Sequence, residues 1–156
     1  MTLSRTRPLL LASALLFGIG QVHAQGTPTP YGAPISLEQA KKAMSAAETE
    51  AQKNNWNMVI AVVDAGGHLV LLQRLENTAY GSVEVAQEKA RGAVAFRRPT
   101  KVFQELIAQG GEHLRLLNLT GDAGVLEGGV PIVAGGKLLG AIGVSGGTSK
   151  QDAQVA

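Results

Sequence analysis

The sequence predicts an α+β protein: an antiparallel sheet built from two hairpins, with helices packed on one side of it. Three observations carry this. The stretch VVDAGGHLVLLQR (residues 62–74) is echoed by IVAGGKLLGAIGV (residues 132–144), each placing Ala-Gly-Gly between two apolar runs. Helical spacing of apolar residues precedes, separates and follows the two stretches. Finally, each Gly-Gly leads into a further apolar run and not into a helix. That excludes the strand, G-x-G-x-x-G, helix order of a dinucleotide loop and favours hairpin turns, where glycine supplies positive φ.

The chain opens with Arg5 and Arg7, then the apolar run LLLASALLFGIG, then Val22-His23-Ala24, the form of a secretory signal peptide cut after Ala24. The apolar run is short of the ~20 residues that cross a bilayer, so no membrane span is expected after cleavage, and the expected location is secreted or periplasmic. The whole chain has 14 Lys+Arg and 12 Asp+Glu; the leader holds two of the arginines and no acid, so 12 of each remain. A general electrostatic case for nucleic-acid binding thereby disappears. Removing 24 residues from 156 leaves 132, the size of one domain. With no cysteine, disulfides, thiolate metal sites and Cys nucleophiles are excluded.

Residues 25–34, QGTPTPYGAP, read as a flexible linker. A single domain is expected over 35–156. Ser36 and Gln39 form a capping-box pattern, followed by Leu37, Ala40, Met44, Ala47 and Ala51 on one helix face and a stop at Asn54-Asn55. NMVIAVVD (57–64) and HLVLLQRL (68–75) make the first hairpin. Ser82 is a plausible N-cap for a helix carrying Ala86, Ala90, Ala93 and Val94 on its apolar face. Pro99 ends that helix and can open the next, about Thr100–Ala108; Gly110-Gly111 closes it. EHLRLLNLTGDAGVLE (112–127) reads as a short helical turn and a loop. GVPIVA (129–134), Gly135-Gly136 and KLLGAIGVS (137–145) form the second hairpin. Thr148 and Gln151 repeat the capping box at the start of a last helix. The order is α-β-β-α-α-loop-β-β-α.

Few patterns carry chemistry. His68 and His113 read as solvated histidines without H-x-x-x-H or H-x-H spacing. Ser145 in GVSGG lacks the helix and the later His that a nucleophile elbow needs. The basic cluster Lys89, Arg91, Arg97, Arg98 and Lys101 is more informative. It reads either as a solvated face balanced by Glu84, Glu88 and Glu105, or as a carboxylate or phosphate anchor. The loop SGGTSKQD (145–152) offers free amides to an anion equally well as it caps a helix. The alanines of the second helix permit close helix approach, so a homo-oligomer is expected.

The stretches NWNMVIAVVDAGGHLVLLQR, GSVEVAQEKARGAVAFRRPTKVF and GGVPIVAGGKLLGAIGVSGGTSKQD, in this order, resemble the GlcG/HbpS-like family of haem-binding or haem-degrading domains. The resemblance covers nearly all of 35–156. It implies a profilin-like fold, homo-oligomers and haem binding at a subunit surface. It also implies that Thr100, in FRRPT, is a weak haem-iron ligand, with Arg97, Arg98, Lys101 and Arg91 meeting the propionates; His113 is a lesser candidate for the metal. Family members usually extend the closing helix past QDAQVA, so the last helix is expected to be short. The alternative use of the same cluster is an enzyme or sensor for a small carboxylate such as a 2-hydroxy acid.

Overall fold

The computed structural model describes residues 27–118 and 124–156; the proposed signal peptide lies outside the described residues. The elements are α1 (Leu37–Lys53), β1 (Val59–Asp64), β2 (Leu69–Arg74), α2 (Ser82–Phe96), α3 (Lys101–Ala108), a 3-10 helix (Gly111–Asn118), β3 (Gly129–Ala134), β4 (Lys137–Ser145) and α4 (Ser149–Val155). The expected order holds. The four strands form one antiparallel sheet in the order β2-β1-β4-β3, the two hairpins joined through β1 and β4.

The helices lie on both faces of this sheet, which corrects the one-sided expectation. Met58, Ile60 and Val62 enter a core with Ala40, Met44, Ala47 and Ala51 of α1 and Val155 of α4. The alternate residues Val59, Ala61 and Val63 pack instead with Ala86, Ala90, Ala93 and Val94 of α2. Successive side chains of a strand point to opposite faces, so a strand covered on both faces must be apolar at every position. That is the reason for the unbroken VIAVV of β1.

On the α2 side the approach is close. A Cβ at Gly143 would overlap the Ala86 carbonyl oxygen and the Ala90 amide nitrogen. The small residues of α2 are therefore spent against the molecule's own sheet, where Ala86, Ala90 and Ala93 are fully buried. The oligomer argument drawn from them does not hold, and association would need other surfaces.

Both capping boxes form as expected, at Ser36–Gln39 and Thr148–Gln151. Three local expectations do not hold. Leu37 is 52% exposed, since it sits at the first position of α1, ahead of the buried stripe. The N-cap of α2 is Gly81, with Ser82 already helical. α2 ends at Phe96, before Pro99 acts, because Arg97 turns left-handed (φ 54°, ψ 38°) and its amide closes on Ala93 and Val94.

The two Gly-Gly turns also differ. Gly135 and Gly136 both have positive φ, 57° and 71°, in a two-residue primed turn. In the first hairpin only Gly67 is left-handed (φ 84°), the connection spans 65–68, and the register slips between Val62 and Val63. The Asp64 side chain organises this longer turn. Of the expected linker, residues from Pro30 onward are tied down. Gly32 N–H donates to the Leu138 carbonyl at 2.8 Å, Leu138 N–H to Pro30 at 2.9 Å, and Ile35 N–H to Leu139 at 2.9 Å.

Candidate functional site

An open groove of about 860 Å3 lies where the first hairpin turn meets the end of α2. Ala65–Leu69 form one wall, Val94–Phe96 the floor, Tyr31 the far wall, and Arg91 reaches in from α2. Each wall has a local cause. Asp64 Oδ1 accepts the Gly66 amide at 2.8 Å and the His68 amide at 2.9 Å, and lies 3.3 Å from His68 Nδ1. Burial acts to raise the Asp64 pKa, but these amides and the imidazole hold it below the ordinary carboxylate value. Tyr31 is anchored from the other side: its single hydroxyl proton is shared between the carbonyls of Val94 (3.0 Å) and Ala95 (3.2 Å) at the end of α2. The Arg97 guanidinium stacks over the Tyr31 ring at 5.3 Å.

The predicted cluster divides between this groove and a polar seam beside the α2–α3 corner. Arg91 lines the groove and donates to Glu84 (3.4 Å) and Gln87 (3.3 Å). Arg97 supports the groove through Tyr31. Arg98 is exposed, donating to the Phe96 carbonyl at 3.3 Å. Lys101 turns the other way, to Glu127 at 3.4 Å and Glu105 at 3.9 Å.

Thr100 is fully buried. Its hydroxyl accepts the Gly129 amide at 2.9 Å, while its own amide donates to the Gly129 carbonyl at 3.0 Å. This pair of bonds fastens the start of α3 to the start of β3, and in this conformation the hydroxyl is closed to a ligand. His113 is half-buried in the 3-10 helix that packs on α3.

Lys89 departs from the solvated-face reading, which the exposed Arg98 and the Arg91–Glu84 and Lys101–Glu105 pairs fit. Only 2% exposed, its Nζ meets Asp152 Oδ2 at 2.6 Å and the Val144 carbonyl at 3.0 Å. Asp152 Oδ1 in turn accepts the Gly147 amide at 2.9 Å. The loop 145–152, read as an anion candidate, is thus engaged by the protein's own carboxylate.

Tyr31 and Asp64 were missed by sequence reasoning. PYGAP reads as linker, although an aromatic in a Pro/Gly segment is a signal of docking. Asp64 stands immediately before Ala-Gly-Gly, a position where a carboxylate caps turn amides.

Among the described residues no helix is long and apolar enough to cross a membrane. The fold and groove define a small α+β module with an open surface groove set by one hairpin turn and one helix end. The family model for the haem degrading protein HbpS-like matches residues 35–156, and the chain belongs to this GlcG/HbpS-like family. It is 45% identical over 111 residues to protein GlcG of Escherichia coli (strain K12), covering 71% of this chain and 81% of that one. Among solved structures it is similar to HbpS (31% identity, TM-score 0.72, covering 86% of this chain and 93% of that one). It is likewise similar to a PduOC–haem complex (28% identity, TM-score 0.72, covering 80% and 91%).

Proposed function

We propose that the protein is an exported module that binds haem, or a closely similar flat dianionic ligand, in the groove between the first hairpin turn and α2. The observation that carries the reading is the groove itself: about 860 Å3, with Phe96, Val94, Leu69 and the Tyr31 ring beside the Arg91 guanidinium. Such a volume suits a cofactor-sized ligand, and an apolar slot with a cationic rim is what a porphyrin with two propionates requires. The family membership and the similarity to a haem complex support the same ligand. Export is supported by Arg5, Arg7 and the apolar run that follows. Homo-oligomeric assembly remains part of the proposal through the family resemblance alone.

Arg91 is the propionate partner in this reading, and Arg97 holds the Tyr31 ring of the groove wall. A propionate would compete with Glu84 for Arg91, so binding weakens as salt rises. The Thr100 hydroxyl is buried and already accepts the Gly129 amide, which argues against its role as the iron ligand.

Titration of the protein with haemin, followed by absorbance, tests the proposal. A saturable spectral change is expected, with Arg91→Ala weakening binding by about one to two decades, the loss of one charge-assisted contact. Thr100→Ala is expected to lower stability while leaving affinity per folded molecule unchanged. No spectral change with haemin, together with thermal stabilisation by small 2-hydroxy acids, would replace haem by a small carboxylate.

A further inference from the structure

We infer that His68 is the iron ligand of this groove, held in its coordinating orientation by Asp64. The inference rests on the haem reading above. Asp64 Oδ1 holds the backbone of His68 by accepting its amide at 2.9 Å, and it stands 3.3 Å from the ring's Nδ1. A proton on Nδ1 facing the carboxylate leaves the Nε2 lone pair for a metal. A carboxylate behind a ligating imidazole sets which ring nitrogen is left to face the metal. Among the described residues nothing bonds Nε2, and the His68 side chain is 83% exposed at the groove wall.

Two other oxygen donors near the site are engaged. The Tyr31 hydroxyl is held by two carbonyls of α2 and the Thr100 hydroxyl by Gly129. His113 belongs to the 3-10 helix against α3. An imidazole is also a stronger partner for haem iron than an alcohol. The turn thereby acquires a role beyond reversing the chain: its four-residue length, where the second hairpin needs only two, places a histidine beside the Gly66–Gly67 corner.

The test titrates the full chain with haemin and, in parallel, with metal-free protoporphyrin IX. The variants are His68→Ala and Asp64→Asn, with circular dichroism to verify folding. The expected result is that His68→Ala lowers haemin affinity by about tenfold to a hundredfold, shifts the Soret band toward that of free haemin, and leaves protoporphyrin affinity unchanged. Asp64→Asn, which keeps an oxygen for the turn amides, is expected to lower haemin affinity by less, within the range of an outer-shell change. An unaltered Soret band and haemin affinity in folded His68→Ala overturns the histidine assignment while the groove reading stands. Failure of the wild type to bind either porphyrin overturns both.

Discussion

Lys89 shows what a single residue does here and why its role is hard to read in advance. Its ammonium lies 2% exposed between α2, β4 and α4, satisfied by Asp152 and the Val144 carbonyl. Breaking a buried ion pair from one side leaves an unpaired charge, which costs about 3–5 kcal/mol. Lys89→Ala is therefore expected to unfold at markedly lower denaturant than the wild type, and Lys89→Met/Asp152→Leu to recover much of the loss; a near-neutral Lys89→Ala would contradict the pairing. Thr100→Ala leaves the buried Gly129 amide without its acceptor, at about 1–3 kcal/mol, measurable by the same unfolding curves. Asp64 adds a pH dependence. Its folded pKa lies below the ordinary carboxylate value, so its contribution to stability is present above that ordinary value and is lost as pH falls through the folded one. Protection factors at the Gly66 and His68 amides, taken against intrinsic exchange at each pH, are expected to hold through the ordinary carboxylate range and to fall only below it; equal protection in Asp64→Ala would show that the carboxylate does not hold the turn.

At the scale of elements, much was legible. Both capping boxes, both hairpins and the Asn54-Asn55 stop were visible because each rests on a local interaction between near neighbours in sequence. What was not legible depends on distant partners. Helical spacing cannot show that Lys89 is buried when its carboxylate is 63 residues away. Nor does any local rule place Arg97 in the left-handed region, where glycine is the common choice. The two-sided sheet was written in β1, whose five consecutive buried residues leave no polar face; the alternation expected of a one-sided sheet is absent there. The candidate site was half legible: Arg91 and Arg97 reach or support the groove, but Tyr31 and Asp64 act through contacts that composition hides. The α2–β4 contact makes a further prediction. Gly143→Ala forces a methyl group into the backbone of α2, and overpacking of this kind costs about 1–3 kcal/mol or more. Ala90→Leu is expected to impair folding itself, as judged by circular dichroism; a folded variant altered only in association state would restore an intermolecular role for that face.

For the whole molecule, β1 and β4 serve two cores at once, so neither helix layer is independent of the other. Unfolding is expected to be a single cooperative transition. Trp56 fluorescence, which reports the α1 side, and far-ultraviolet circular dichroism are expected to coincide; separate midpoints would mean that the layers part independently. The sheet and α2 together position the groove, with its lining groups carried on a turn and a helix end. We propose this groove as the haem site. The most direct measurement is the paramagnetic broadening of backbone amide NMR signals on adding ferric haem. The expected losses are at Gly66, Gly67, His68 and Val94–Phe96, with the signals of Ala43–Ala47, on the opposite face of the sheet, retained. Broadening centred on Thr100 and Gly129, with the hairpin turn unaffected, would contradict it.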